Sequence, residues 1–120
     1  MTELRLNAYH IMWLFVFFDL PVSTKKEMKD AARFRKKLVE DGFAMMQFSV
    51  YIRHCASRES LEVHVQRVEH MLPEAGRVSI LSVTDKQFSM IRNFWGKPKS
   101  ISRSKIKEQN FSEPIQLEIF

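Results

Sequence analysis

The longest apolar run in the chain is Ile11–Phe18, IMWLFVFF, rich in aromatic and β-branched types and without a polar break. A run of this length bounded by turn residues reads as a strand buried on both faces. It ends in Asp19-Leu20-Pro21, where the proline stops the ladder and bends the chain away. From Lys25 the apolar period lengthens to that of a helix. Thr24 followed three residues later by Glu27 forms a capping box, and Gly42 just beyond Asp41 is a left-handed stop. At 100° per residue Met28, Ala31, Phe34, Leu38 and Val39 share one face. Lys25, Lys29, Arg33, Lys36 and Glu40 fall opposite, with Lys26 and Lys37 nearby. Arg35 projects from the middle of the apolar stripe. Either its stem snorkels outward, or its guanidinium pairs with a carboxylate at a sheet end or a subunit interface.

Between Phe43 and Cys55 the period falls to two, with Met46, Phe48, Val50 and Ile52 alternating against Met45, Gln47, Ser49, Tyr51 and Arg53. The stretch is too long for one ordinary strand, so a kink near Gln47–Ser49 is expected to divide it in two. Ser57 can cap a second helix to Leu72 with Leu61, Val65, Val68 and Leu72 as its seam, ended by Pro73 and Gly76. Arg77–Thr84 alternates again through Val78, Ile80 and Val83. Asp85–Ile91 suits a short helical turn, and Arg92–Trp95 a short extended piece. Strand, helix, two strands, helix, strand is the ferredoxin-like βαββαβ order of the α+β class. One antiparallel sheet would carry both helices on one face, and its other face must be covered or used.

The remainder is a 1–10 N-terminal arm without a period, a 96–110 basic linker, and a 111–120 segment in which Ile115, Leu117 and Ile119 alternate as a strand. The 11–95 stretch is then the ferredoxin-like domain. A terminal strand on a long tether can add to its own sheet or to the sheet edge of a second copy.

Composition narrows this picture. A chain of 120 residues makes one domain with a single core. The apolar run is far too short for a membrane span and lacks a basic leader and a small-residue cleavage site, so it does not read as a signal peptide. The single cysteine, Cys55, excludes an internal disulfide and points to a reducing cytoplasm. The net charge of +5 and pI near 9.6 favour a polyanionic partner. His10, His54, His64 and His70 show no metal-ligand spacing with Cys55, which argues against zinc.

Candidate chemistry is sparse. No nucleophile–base pair, phosphate loop or two-carboxylate cluster is legible. Asp19 closes a buried strand, a place where ligands and catalytic groups collect in α/β sheets. It can simply cap its turn, or it can bind a cation. One carboxylate is a poor magnesium site, but a two-fold axis near the strand end would supply a pair. The row Lys25, Lys26, Lys29 and Arg33 is either a solvated face or a phosphate-contacting one. Asp41–Phe48, DGFAMMQF, comes near the octapeptide of RNA-recognition motifs, the alternative being a non-catalytic RNA-binding module. It departs at Asp41, which reverses a charge, at Met45, which removes a stacking ring, and in position, because it follows the first helix directly.

Several segments together resemble one family. They are Phe18-Asp19-Leu20-Pro21, Arg33-Phe34-Arg35-Lys36, Asp41-Gly42-Phe43, Gln47-Phe48-Ser49-Val50-Tyr51 and Val83-Thr84-Asp85-Lys86-Gln87-Phe88. In this order they are similar to CRISPR-associated protein 2, the small CRISPR adaptation (spacer-acquisition) protein, in its type II form. The resemblance implies a ferredoxin-like homodimer whose C-terminal strand adds to the partner's sheet. It implies that Asp19 is the catalytic residue and ligand of magnesium or another divalent cation, in an endonuclease acting on single-stranded RNA or on DNA. It also implies a scaffold role, in which the dimer bridges dimers of CRISPR-associated protein 1, the integrase, and binds duplex DNA.

Overall fold

A computed structural model describes residues 11–97. The expected C-terminal strand and the N-terminal arm lie outside the described residues, as does most of the linker. The elements are β1 (Met12–Asp19), α1 (Lys25–Glu40), β2 (Ala44–Gln47), β3 (Val50–Cys55), α2 (Arg58–His70), β4 (Arg77–Thr84) and a one-turn α3 (Asp85–Phe88). The sheet order is β2-β3-β1-β4 with every neighbouring pair antiparallel. This is the expected α+β, ferredoxin-like arrangement. Residues 91–97 carry no regular structure, so the extended piece expected at Arg92–Trp95 is not a strand.

Local chemistry places the boundaries. The Thr24–Glu27 capping box forms, with the Glu27 N–H donating to Thr24 Oγ1 at 3.0 Å and the Thr24 N–H to Glu27 Oε1 at 3.1 Å. At the other end of α1, Phe43 N–H donates to Leu38 O and Gly42 N–H to Val39 O, both at 2.9 Å, with Gly42 at φ +93°. That is a Schellman stop, which needs a residue free to turn left-handed. The break expected near Gln47–Ser49 is sharper than a kink. Residues 48 and 49 make a tight turn with Ser49 at φ +70°, and the chain reverses so that β2 pairs with β3 through an irregular register.

The core lies between the sheet and both helices. Met12, Leu14, Val16 and Phe18 of β1 meet Phe34 and Leu38 of α1, Leu61 and Val68 of α2, and Tyr51 and Cys55 of β3. Each such fully buried apolar side chain contributes about 1.5–3 kcal/mol. The stripe on α1 is narrower than its spacing suggests. Ala31, Phe34 and Leu38 are buried, whereas Met28 and Val39 are exposed because they lie further round the cylinder, on its flank. On α2 the seam is Leu61, His64 and Val68, while Leu72 lies past the helix end and is exposed.

His64 is buried because Asp41, the C-cap of α1, accepts from it. Asp41 Oδ2 lies 2.7 Å from His64 Nδ1, and Asp41 Oδ1 accepts from Arg67 Nη1 at 2.8 Å. This ties the end of α1 to α2. Burial pushes the Asp41 carboxyl up, but hydrogen bonds and charge from Arg67 and His64 outweigh it and hold it below its ordinary value of 3.8. A depressed carboxyl stabilises the fold fully above its unfolded value, and that contribution is lost as pH falls through the folded one. Unfolding by denaturant should therefore show stability falling below about pH 4, with a flatter acid limb in Asp41→Asn. Asp41→Ala should cost about 1–3 kcal/mol at pH 7.

The opposite face of the sheet carries Trp13, Phe15, Phe17 and Asp19 of β1. α3 covers one end: Phe88 stacks on Trp13 at 3.9 Å, and Trp13 Nε1 donates to Asp85 Oδ1 at 2.8 Å. Among the described residues nothing covers the other end, where Phe17 is 38% and Leu81 50% exposed.

Candidate active site

Asp19 is the last residue of β1 and is exposed on the open face. Its backbone is held from behind. Gly76, at φ +104°, packs so closely that a Cβ there would lie 2.9 Å from Asp19 O and 3.0 Å from Leu20 Cα. The corner predicted from Leu20-Pro21 is thus fixed by a glycine distant in sequence. Phe18 N–H donates to Ser49 O at 3.1 Å, so the β2–β3 turn holds the strand end from the other side.

Directly across from Asp19 in the β1–β4 register stands Arg77, the first residue of β4. Asp19 and Arg77 line an open groove of ≈ 290 Å³ with Ser49, Ser79, Phe17 and Val50. Among the described residues no three His, Cys, Asp or Glu side chains converge to hold a metal ion. Arg77, Ser49 and Ser79 were not legible as site residues. The strand register, which pairs Asp19 with Arg77 and Phe17 with Ser79, and the β2–β3 turn, whose Ser49 O accepts from Phe18 N–H, bring them together.

The basic row on α1 lies away from this groove. α1 packs on the closed face of the sheet, and its exposed side points further out, so Lys25, Lys26, Lys29 and Arg33 do not converge with Asp19. The row is also partly neutralised. Lys26 Nζ is bound by Glu74 at 2.9 Å and Asp30 at 3.0 Å, hydrogen bonds that raise its pKa. Arg33 lies 3.7 Å from Asp30. Asp30 was missed as a member of this face, and of the row's four cations only Lys25 and Lys29 have no carboxylate partner among the described residues.

Arg35 takes an aromatic partner in place of a carboxylate. Its guanidinium lies 4.9 Å from the Phe48 ring centre and 5.7 Å from that of Phe18. The near-match to the RNA-recognition octapeptide is set aside by the same region. Asp41 is a helix cap, Phe43 is buried in the core where it cannot stack on a base, and β2 is an edge strand.

Comparison with known proteins agrees with this arrangement. A solved structure described as "Crystal structure of cas2" superposes with a TM-score of 0.52 at 22% identity, covering 75% of this chain and 92% of that one, which supports the fold. "CRISPR-associated endoribonuclease Cas2" of Flavobacterium psychrophilum is 53% identical over 88% of this chain and 90% of its own length. The protein of the same name from Parvibaculum lavamentivorans is 47% identical over 91% of this chain and 100% of its own. The family model for CRISPR associated protein Cas2 matches residues 12–91, the stretch that builds the sheet, both long helices and the Asp19 groove, and the chain belongs to that family.

Proposed function

We propose that this protein is a divalent-metal-dependent endonuclease of CRISPR adaptation that works as a homodimer. The observation that carries the reading is the placement of Asp19, an exposed carboxylate fixed at the end of β1 in a groove with Arg77, in a family whose relatives are named endoribonucleases. Asp19 from one chain is too few ligands for magnesium, which takes six oxygens but keeps waters and accepts phosphate oxygens. Asp19 from two copies, together with a bound phosphate, meets that need. When bound, the metal would lower the pKa of a coordinated water and neutralise charge on the phosphate. Each chain's own part is to hold its Asp19 carboxylate at a fixed corner and to admit a phosphodiester to the groove.

The open end of the sheet face around Leu81 suits a second copy, and so do the alternating apolar positions Ile115, Leu117 and Ile119 of the strand expected at 111–120. Truncation after Asn110 should convert the dimer to monomer, or weaken it markedly, in light scattering. An equally stable dimer would remove that strand from the interface.

A second reading has its own support. The lone carboxylate per chain and the free cations Lys25 and Lys29 also suit a non-catalytic scaffold that binds duplex DNA and bridges dimers of the integrase, CRISPR-associated protein 1. Cleavage of single-stranded RNA and duplex DNA, with magnesium and with chelator, separates the two. Metal-dependent turnover supports the nuclease, and none in either condition leaves the scaffold.

A further inference from the structure

We propose that Arg77 is the phosphate-binding residue of the Asp19 groove, the group that holds the strand's backbone beside that carboxylate. The inference rests on the nuclease reading for its purpose but on separate geometry for its content. Arg77 faces Asp19 across β1 and β4, and the two exposed residues line the same groove. Directly opposed residues of antiparallel strands have Cα atoms about 4.5–5.5 Å apart, so the guanidinium and the carboxylate serve the same ligand. Among the described residues Arg77 makes no ion pair, so its fork is free to bind a ligand in the groove that it lines.

The charge logic favours this assignment. A carboxylate alone repels a phosphodiester, and a neighbouring cation offsets that repulsion before any metal binds. Guanidinium is suited to the task because its planar fork can donate to two non-bridging oxygens at once. Ser79, two residues along the same face of β4, and Ser49, across β1, line the groove together with the apolar Phe17. From Ser49 to Ser79 the groove spans two strand spacings, about 10 Å. That width suits one strand with its phosphates directed at Arg77. The basic row on α1, on the other side of the sheet, is then a different surface from the one that receives the strand to be cut.

Fluorescence anisotropy of a short single-stranded RNA in excess EDTA tests the proposal without metal or turnover. Arg77→Gln should weaken binding about tenfold. It should also flatten the dependence of log affinity on log salt by about 0.7, the value of one single-strand phosphate contact. Arg77→Lys should recover the salt slope but only part of the affinity, because an ammonium does not fork. Asp19→Asn should bind at least as tightly as wild type. Wild-type affinity and slope in Arg77→Gln would overturn the proposal. With magnesium restored, absence of cleavage by wild type together with weak binding by Arg77→Gln would sink the nuclease reading and leave the phosphate site. Loss of cleavage in Asp19→Asn with unchanged binding in Arg77→Gln would do the reverse.

Discussion

Asp19→Asn should lower magnesium-dependent cleavage by orders of magnitude while leaving the fold and the dimer intact. The side chain is exposed and makes no hydrogen bond to another described side chain, so the amide, nearly the same shape, disturbs no packing. What it removes is charge. In the proposed dimer two carboxylates share the metal, so one substitution acts twice, and loss of the metal removes both water activation and charge neutralisation. Duplex DNA binding through Lys25 and Lys29 should be nearly unaffected, because that face lies on the far side of the sheet. The measurement is cleavage rate against magnesium for both proteins, on RNA and on duplex DNA. Equal rates would assign the activity to another site or to a contaminant and would leave the scaffold reading alone.

Gly76→Ala should have the largest effect on stability of any single methyl added near the site. The residue sits at φ +104°, where an L side chain is strained, and its new Cβ would approach Asp19 O and Leu20 Cα, which are backbone atoms and cannot rotate aside. Left-handed strain of about 1–2 kcal/mol and overpacking of about 1–3 kcal/mol act together. At roughly 4–8 °C per kcal/mol for a small domain, a thermal melt should show a drop of about 8–40 °C. The strain relaxes by moving the Asp19–Leu20 backbone, so cleavage should fall as well, even below the melting point. Gly42→Ala makes a useful comparison. Its new Cβ would meet Arg53 Nη1, the end of a flexible side chain, so the corner at Asp19 should keep its place and activity per folded molecule should be retained. A Gly76→Ala protein that melts and cleaves like wild type would show that this glycine does not hold the corner.

The helix boundaries, the βαββαβ order and the position of Asp19 were all readable because each is set by local chemistry. Capping at Thr24 and Ser57, the left-handed stop at Gly42 and the proline after Asp19 act within a few residues of themselves. Where the reading fell short, a distant partner decided. Arg35 was given a carboxylate or solvent, and it lies over Phe48 and Phe18 instead, because the β2–β3 turn delivers an aromatic ring to the end of β1. His64 looked like one of four unassigned histidines, and Asp41 from another helix allows it to be buried. The basic row looked uniform, but Asp30 and Glu74 neutralise part of it.

The elements, the fold class, the family resemblance and the single carboxylate worth testing are legible along the chain, because periodicity, caps and turn residues act over one or two turns. What surrounds that carboxylate depends on pairing between distant segments. Arg77 lies 58 positions after Asp19, and nothing about an arginine at the start of a strand announces its neighbour. The antiparallel register of β1 and β4 makes them opposite, and that register is set by burying Val78 and Ile80 on the helix side. A shift of one residue would have turned those side chains outward and Arg77 into the core. The cost of burying that charge, set against the burial of two aliphatic side chains, is the physical reason the groove has the residues it has.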